Sequence, residues 1–303
     1  MRGIFVDAEE ELATIFAKVV RPEDPPVRVH LQHHVEAHEL PGLLAGSDFV
    51  LNDRTFMPTE TMRLCKGLKH VIFLGTGARS YMNPEELAEL GITVHIIKGY
   101  GDIAVAEHAI ALMWAGARGL AMMDRGIRAG GWPRTEGTQL TGKTIGLVGF
   151  GGIAEQVARI AGGSGMRVLA WNRSPKTAPG VTFVDLDTLL AESHVVSLHL
   201  LLNDETRGFL SAERIAMLRP GVLLVNTARG AVVDEAAMIA ALRSGQIGHA
   251  ALDVFEEEPL PAGNPFVGLE NLTLSAHSAF RTPEASETLL RRALDIAQRV
   301  AKI

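Results

Sequence analysis

The stretch Thr144-Ile145-Gly146-Leu147-Val148-Gly149-Phe150-Gly151-Gly152-Ile153-Ala154 decides the fold of this chain. A strand-like apolar run leads into the spacing G-x-G-x-x-G/A, with Ala154 in the third small position. Gly149 permits a tight turn, Gly151 lets the backbone approach a pyrophosphate, and Ala154 lets the following helix pack on the sheet. Because the motif lies between a predicted strand and a predicted helix, it favours nucleotide binding over a merely structural turn. Its other residues are expected to line the nucleotide as well: Phe150, Gly152 and Ile153.

Apolar runs alternate with helical patterns on both sides of this turn. Downstream, strands are predicted at 167–171, 195–200, 222–226 and 249–254. Upstream, buried strands are predicted at 27–31, 48–51, 70–74 and 93–97, with helices between them. Strands that alternate with helices form parallel sheets. The predicted fold class is α/β, with two Rossmann-like, doubly wound parallel sheets.

Two further helices are predicted from apolar spacing. The segment 102–123 is long, rich in alanine and apolar on more than one face, so we expect one unbroken helix buried between domains or subunits. The segment 284–303 has apolar residues at helical spacing and is expected to close the structure.

Composition excludes several classes of protein. The chain has 303 residues, is 47% hydrophobic and carries a net charge of -6, with a pI near 6.0. This size indicates two domains, and the acidic balance disfavours nucleic-acid binding, which needs a concentrated basic surface. The single cysteine, Cys65, cannot form an internal disulfide. No apolar run approaches the about 18 residues of a membrane helix, and no signal peptide is evident, so we expect a cytoplasmic protein without membrane contact.

The residues after the second strand bear on the choice of nucleotide. An NAD site usually has Asp or Glu there to bind the ribose 2′-hydroxyl. This chain has Asn172, Arg173 and Ser174 instead. The uncharged Asn172 does not repel a 2′-phosphate, and Arg173 and Ser174 offer it a cation and a hydroxyl, which favours NADP over NAD. The alternative is that Asn172 binds the ribose and Arg173 is a solvated surface residue, so NAD use stays possible.

A set of motifs in fixed order resembles the D-isomer-specific 2-hydroxyacid dehydrogenases, which include phosphoglycerate, glyoxylate/hydroxypyruvate and D-lactate dehydrogenases. The resemblance covers nearly the whole chain. The motifs are Gly75-Thr76-Gly77-Ala78, Val105-Ala106-Glu107-His108, the Gly149 turn, Ser197-Leu198-His199, Glu205-Thr206-Arg207-Gly208, Asn226-Thr227-Ala228-Arg229-Gly230, Leu252-Asp253-Val254-Phe255, Glu258-Pro259 and His277.

The resemblance implies a discontinuous substrate domain at 1–99 and 276–303, with a dinucleotide-binding domain at 100–275 inserted into it. It also implies a homodimer. The expected reaction is hydride transfer between NAD(P)H and a small 2-oxo acid such as glyoxylate or hydroxypyruvate.

The same resemblance assigns roles to named residues. Arg229 is expected to grip the substrate carboxylate, His277 to act as general acid and base, and Glu258 to orient the imidazole. The N–H groups of Gly75, Thr76 and Gly77 are expected to bind the carboxylate. Asp253 is expected to bond the nicotinamide carboxamide. The remaining residues expected to line the cofactor are Val105, His199, Thr206, Thr227, Ala228 and His277.

Some alternatives stay open. Corepressors of the same fold retain the three catalytic positions, and phosphite oxidation uses a similar trio. Formate is disfavoured because its dehydrogenases carry glutamine where Glu258 stands. Either Arg54 or Arg79 is a candidate to meet an acidic or phosphorylated substrate tail. A histidine cluster at 30–38 lacks the context of a zinc site, so no metal is expected.

Overall fold

The computed structural model describes residues 1–302, which divide into two compact units. The first unit contains residues 1–101 and the segment from Arg281 onward, and the second contains Asp102–Phe280. The chain therefore leaves the first unit once and returns to it once. The return lies after His277 and later than the boundary expected at 276, so His277 belongs to the second unit.

The first unit is built from strands and helices in alternation. Its strands pair in parallel in the order β2-β1-β3-β4-β5, with Asn52 opposite Phe73. The order reverses between β1 and β3, so the loops that follow these strands flank a topological switch point. The elements are β1 (Gly3–Ala8), α1 (Glu10–Val19), β2 (Val27–Leu31), α2 (Leu40–Leu43), β3 (Phe49–Asn52), α3 (Thr59–Met62), β4 (His70–Phe73), α4 (Pro84–Glu89) and β5 (Thr93–Ile96).

Strand β1 lies between β2 and β3, although the sequence patterns predicted no strand there. All of its residues are buried. Glycine is required at its start, because a Cβ at Gly3 would lie 2.2 Å from the ring of Phe49. A single short apolar run, without a predicted strand and helix before it, does not identify a strand from the sequence.

Strands β2 and β5 are not the buried strands that their sequences predicted. Both lie at the edges of the sheet, so each has a neighbouring strand on one side only. Leu31 at the end of β2 is 63% exposed and Ile96 at the end of β5 is 39% exposed. Apolar runs are typical of parallel strands, but they do not distinguish an edge strand from a central one.

The second unit contains a larger sheet of the same type. Its parallel strands follow the order β12-β11-β10-β9-β6-β7-β8, with Val148 opposite Leu198. The order reverses between β6 and β9. The elements are α5 (Asp102–Ala117), α6 (Leu120–Arg128), β6 (Thr144–Val148), α7 (Gly152–Gly163), β7 (Arg167–Trp171), β8 (Val181–Phe183), α8 (Leu186–Glu192), β9 (Val195–Leu198), α9 (Ala212–Met217), β10 (Val222–Asn226), α10 (Glu235–Ser244), β11 (Ile247–Leu252) and β12 (Leu272–Leu274).

The prediction of one unbroken helix at 102–123 is wrong. Helix α5 ends at Ala117, and α6 begins at Leu120 after Gly119, whose φ is 62°. Glycine adopts this left-handed conformation without steric cost, and it ends the first helix. Apolar periodicity continues through the break, which is why the sequence pattern did not reveal it.

The last helix, α11 (Pro283–Ala301), returns to the first unit. Its apolar face, which includes Leu290 and Leu294, is buried in a cluster with Phe5 and Phe49. Residue 303, where this helix was predicted to end, lies outside the described residues. Among residues 1–302, no helix combines the length and apolar character needed to cross a membrane.

A buried ion pair fastens α11 to the loop before β2. Arg291 donates to both carboxylate oxygens of Asp24, at 2.7 and 2.6 Å, and Gln298 donates to the same carboxylate at 3.0 Å. The Asp24 side chain is 0% exposed. Hydrogen bonding from Arg291 is the main cause that lowers the pKa of Asp24 below its ordinary value.

Candidate functional site

The Gly149 turn lies at the switch point of the second sheet, directly after β6. Gly149 has a φ of 87°, and a Cβ on it would lie 2.7 Å from the carbonyl oxygen of His199. His199 follows β9, the strand on the other side of the switch point. Glycine is therefore needed at 149 both for the backbone conformation and for close approach to the neighbouring strand.

Gly151 has a different environment. A Cβ built on it meets no atom within 4 Å, so its face of the turn is open. Gly151 is also the residue before α7, and as a glycine it offers no side chain to cap the helix. An open face at the start of a helix fits a phosphate group, because backbone N–H groups and the positive end of the helix dipole face outward there. Ala154 is 0% exposed and packs inside the unit, as the motif predicted.

Asn172 holds the turn in place. Its Oδ1 accepts from the N–H of Phe150 at 3.1 Å, and its Nδ2 donates to the carbonyl oxygen of Ser174 at 2.8 Å. The sequence did not point to Lys176, whose Nζ donates to the carbonyl oxygen of Phe150 at 2.6 Å. This bond brings a second cation to the turn. In the sequence, Lys176 was marked only by its position shortly after Arg173.

Arg173 is exposed and is paired with a carboxylate. Its Nη1 bonds to Oε2 of Glu205, and the two side chains are 76% and 70% exposed. An exposed ion pair of this kind contributes little free energy. The guanidinium is therefore able to exchange Glu205 for another anion at small cost.

His199 and Thr206 lie beyond β9. Burial lowers the pKa of His199 to about 4, so its imidazole is neutral at neutral pH. Its Nε2 lies 3.0 Å from Oγ of Ser197. Thr206 closes a turn by donating to the carbonyl oxygen of Leu201 at 2.6 Å. Val105 lies half-buried on α5 in the same unit.

The loop after β10 contains a buried hydroxyl without a partner. Oγ1 of Thr227 forms no hydrogen bond within residues 1–302, although Thr227 is only 8% exposed. Beside it, Asn226 accepts from the N–H of Ala228 and donates to the carbonyl oxygen of Arg229, each at 3.0 Å. A buried hydroxyl normally has a partner. Together with the open face at Gly151, the Thr227 hydroxyl shows that these residues fit a bound dinucleotide.

A glycine brings the loops of Arg229 and Glu258 together. A Cβ at Gly230 would lie 1.9 Å from the carbonyl carbon of Phe255, so no other residue fits there. Arg229 is half-buried, and its Nη1 donates to the carbonyl oxygen of Ala228 at 2.7 Å. Its charge contributes to the lowered pKa of Glu258, which places a permanent cation near that carboxylate.

Glu258 and His277 form the central pair of the site. Nδ1 of His277 lies 2.6 Å from Oε2 of Glu258, and Oε1 of Glu258 accepts from the N–H of Phe255 at 2.8 Å. Burial alone raises the pKa of Glu258, but the hydrogen bonds from His277 and Phe255 and the nearby charges outweigh it. The net result is a lowered pKa and an ionised carboxylate beside the imidazole.

His277 has a left-handed backbone, with a φ of 48°. This conformation is unusual for a residue that is not glycine, and it has to be held by the surrounding structure. The N–H of His277 donates to the carbonyl oxygen of Asp253 at 2.7 Å, while the Asp253 carboxylate accepts from the N–H groups of Ser278 and Ala279 at 2.9 Å. Asp253 therefore fixes the backbone on both sides of the imidazole.

The carboxylate of Asp253 is 0% exposed and has further partners. Ser275 donates to it at 2.6 Å, and Nε2 of His108 lies 2.9 Å from Oγ of Ser275. Burial raises the pKa of Asp253, but hydrogen bonds from His108, Ser275 and the two N–H groups lower it overall. The sequence assigned Asp253 only to the cofactor and gave His108 and Ser275 no role of their own.

In the first unit, the loop after β4 exposes part of its backbone. The N–H of Gly75 already donates to the carbonyl oxygen of Phe73 at 2.8 Å, so this expected donor is used within the protein. Among residues 1–302, the N–H groups of Thr76 and Gly77 have no acceptor, and Thr76 is exposed. Two of the three expected donors are thus available to an anion.

The arginines proposed to meet a substrate tail are already paired. Nη1 of Arg54 lies 2.8 Å from Glu9, and its Nη2 lies 2.8 Å from Asp53. Arg79 bonds to Glu85 through both terminal nitrogens at the surface.

Three histidines of the 30–38 segment have separate partners. His30 bonds the carbonyl oxygen of Val6, His33 pairs with Glu9 and His34 pairs with Glu36. In the part of the chain that the structure describes, no three His, Cys, Asp or Glu side chains are placed to hold a metal ion.

Comparison with known proteins gives consistent matches. The family model for the D-isomer specific 2-hydroxyacid dehydrogenase NAD binding domain matches residues 110–279. The glyoxylate reductase of Aeropyrum pernix is 39% identical over 98% of this chain and 89% of its own. The hydroxypyruvate reductase of Thermotoga maritima is 35% identical over 89% of this chain and 89% of its own. A solved acyclic imino acid reductase in complex with NADPH and D-Arg is 27% identical, with a TM-score of 0.85 over 100% of this chain and 98% of that chain.

Proposed function

This chain belongs to the D-isomer specific 2-hydroxyacid dehydrogenase family, an NAD(P)-dependent group of oxidoreductases, and from that premise we propose that it reduces a small 2-oxo acid of the glyoxylate or hydroxypyruvate type. The observation that carries the proposal is the 2.6 Å pair of His277 and Glu258. Reduction of a 2-oxo acid needs a proton donor and a cation that binds the substrate carboxylate. An imidazole beside an ionised carboxylate, with a guanidinium nearby, provides both groups.

We propose that Arg229 binds the substrate carboxylate and polarises the carbonyl group. A guanidinium is planar and permanently charged, so it holds a carboxylate through two hydrogen bonds and stabilises charge that develops on the neighbouring oxygen. Arg229 follows a fully buried strand, and Gly230 fixes the loop against Phe255. In the first unit, the N–H groups of Thr76 and Gly77 are proposed as donors to a substrate carboxylate.

His277 is proposed as the general acid of the reduction and the general base of the reverse reaction. Glu258 accepts from Nδ1, which leaves Nε2 to transfer the proton to the substrate oxygen. Since the His277 backbone is held by Asp253, the imidazole is positioned before the substrate binds.

The nicotinamide cofactor, when bound, supplies the hydride. The turn at 149–153 would hold its pyrophosphate, and Thr227 would give it a hydroxyl. Val105, His199, Thr206, Ala228 and the loop at Asp253 are proposed to line the same cofactor.

We propose that NADPH is preferred over NADH. No carboxylate follows β7 to repel a 2′-phosphate, and two cations, Arg173 and Lys176, lie close to the turn. The Arg173 and Glu205 side chains are exposed, so a phosphate is able to displace the carboxylate. Ser174 adds a hydroxyl donor.

We propose a homodimer as the working state. Segment 120–132 of the second unit exposes large apolar side chains: Leu120 at 52%, Ile127 at 52% and Trp132 at 79%. Several large apolar side chains exposed within one segment favour an interface between subunits. Light scattering during gel filtration measures the mass directly, and a monomer at micromolar concentration would contradict the proposal.

Initial rates test the function and the cofactor preference together. NADPH and NADH are each assayed with glyoxylate, hydroxypyruvate, pyruvate and phenylpyruvate. We expect the highest kcat/KM with NADPH and one of the two smaller polar acids. Absence of turnover with all four acids would reject the proposed reaction, whereas an advantage of NADH by about tenfold would reject only the cofactor preference.

A further inference from the structure

Three loops of the first unit lie side by side at the carboxyl edge of its sheet. They follow β1, β3 and β4, which are neighbours in the strand order. Ligands of doubly wound sheets bind at this edge. If the loop after β4 binds the substrate carboxylate, as the proposed function has it, the rest of the acid meets the residues that follow β1 and β3.

The loop after β3 is held in place by a buried carboxylate. Asp7 is 0% exposed and accepts from the N–H groups of Asp53, Arg54 and Thr55 and from the hydroxyl of Thr55, all within 3.2 Å. A loop fastened at so many points does not rearrange easily. The Arg54 side chain therefore starts from a fixed position at this edge.

The Arg54 guanidinium has carboxylates on two sides. Its Nη1 lies 2.8 Å from Oε1 of Glu9, its Nη2 lies 2.8 Å from Oδ2 of Asp53, and its Nε lies 3.1 Å from the same oxygen. The exposed fractions are 29% for Arg54, 20% for Glu9 and 12% for Asp53. Charges so far removed from water are screened weakly, so this pairing is costly to break.

The surrounding charges make the edge acidic. Arg281 pairs with Glu9 at 3.0 Å and with Glu11 at 3.6 Å, so it is also engaged. Burial, followed by the charge of Asp7, raises the pKa of Asp53, which is the expected response of a carboxyl group among other carboxylates. A second anion at this edge would find the arginines paired and would face excess negative charge.

We propose that Glu9 and Asp53 determine specificity by neutralising Arg54, so that the site accepts 2-oxo acids with short, uncharged tails and rejects those with a second anionic group. This inference rests on the proposed function and deepens it. Repulsion between the carboxylates of the site and a second anionic group lowers the affinity for ligands that carry such a group. It produces specificity without requiring new contacts to the uncharged ligands.

The test compares hydroxypyruvate with the same acid carrying a phosphate on its C3 oxygen. Wild type, Glu9→Gln and Asp53→Asn are assayed for kcat/KM with both substrates. Glu60→Gln serves as the matched control, because it removes a carboxylate of the same unit from an exposed pair with Arg63. Melting temperatures establish that each variant is folded, and Asp53→Asn replaces Glu9→Gln should the latter unfold.

We expect the wild-type kcat/KM for hydroxypyruvate to exceed that for the phosphorylated acid by about 100-fold. In Glu9→Gln this ratio should fall by about tenfold, mainly because KM for the phosphorylated acid decreases. Glu60→Gln should keep the wild-type ratio. The inference is overturned if the wild type prefers the phosphorylated acid, or if neither Glu9→Gln nor Asp53→Asn shifts the ratio more than Glu60→Gln does.

A binding measurement separates this inference from the proposed reaction. Calorimetry with D-glycerate and 3-phospho-D-glycerate, in the presence of NADPH, reads the same discrimination without turnover, because neither member of this reduced pair accepts a hydride from the other. If the wild type reduces no 2-oxo acid, the proposed function fails. The inference is then judged on binding alone. It holds if Glu9→Gln reduces the difference in affinity between D-glycerate and 3-phospho-D-glycerate, and it is overturned if that difference is unchanged.

Discussion

Nδ1 of His277 lies 2.6 Å from a carboxylate oxygen of Glu258, although 19 residues separate them along the chain. Both side chains are 33% exposed, so the pair is shielded but reachable by a small molecule. Two features produce this approach. Gly230 allows the loop of Glu258 to pack closely, and the left-handed backbone of His277 turns the imidazole toward it.

Replacing His277 by alanine removes the proposed proton donor. We expect kcat to fall by about 10³-fold, as is typical for loss of a general acid, while NADPH binding stays within about twofold. Stopped-flow rates and quenching of NADPH fluorescence measure the two quantities. Glu258→Gln should lower kcat as well, because the amide no longer supports a charged imidazole. Undiminished turnover in His277→Ala would remove this residue from proton transfer.

Gly151→Ala separates cofactor binding from folding. The new methyl group meets open space, and the backbone of Gly151 is extended, so the melting temperature of the free protein should hardly change. The methyl group lies where a pyrophosphate would approach, so we expect the Kd for NADPH to rise by at least about tenfold. Gly163→Ala, at the other end of α7, is the matched control and should leave Kd unchanged. Equal Kd values for the two variants would argue against a phosphate at this turn.

Arg173→Gln tests the cofactor preference. Loss of the guanidinium should raise KM for NADPH by about tenfold and change KM for NADH little, because only the former has a 2′-phosphate to bind. Glu205→Gln should have the opposite effect on selectivity, since it frees Arg173 from its partner. Arg159→Gln, on the exposed side of α7, is the control. Parallel changes in both KM values would show that Arg173 does not recognise the phosphate.

The buried pair of Arg291 and Asp24 should stabilise the first unit. Arg291→Ala leaves an unpaired carboxylate that is 0% exposed, so we expect the free energy of unfolding to fall by about 3 kcal/mol at pH 7. Arg128→Ala, which breaks a surface pair with Asp124, should cause no measurable loss. Urea titrations give both values.

The same pair has a defined pH dependence. The pKa of Asp24 is lower in the folded protein than its ordinary value of 3.8, so its stabilisation is fully present above pH 3.8 and is lost as the pH falls through the folded pKa. The difference between wild type and Arg291→Ala should therefore shrink below about pH 3.8. A difference that stays constant down to pH 3 would contradict this assignment.

Sequence reasoning found the α/β class and the order of most elements because parallel strands and their helices have strong local patterns. It missed β1, which is a single apolar run, and it missed the break at Gly119, where apolar spacing continues across two helices. The edge positions of β2 and β5 depend on pairing between distant segments, which no local pattern encodes.

Individual site residues and the pairing of Glu258 with His277 were predicted from the sequence, but the contacts that position these residues were not. The motifs contain Arg229, Glu258 and His277, yet the role of Gly230 depends on a contact with Phe255 that only the folded chain reveals. The hydrogen bonds that link His108 to Ser275 and Ser275 to Asp253 likewise join residues that are far apart in the sequence. The pairing of Arg54 with Glu9 joins two loops, so an arginine that looked free in the sequence is neutralised in the fold.

The return of the chain to its first unit has a consequence for biosynthesis. Residues 102–280 are contiguous, so the second unit has all its strands once they leave the ribosome. The first unit lacks α11 until residues 283–301 have also been made, and the apolar surface around Phe5 and Phe49 stays uncovered until then. The first unit is therefore completed only after the second unit, although its sheet is made earlier, and its uncovered apolar surface needs protection from aggregation during that interval.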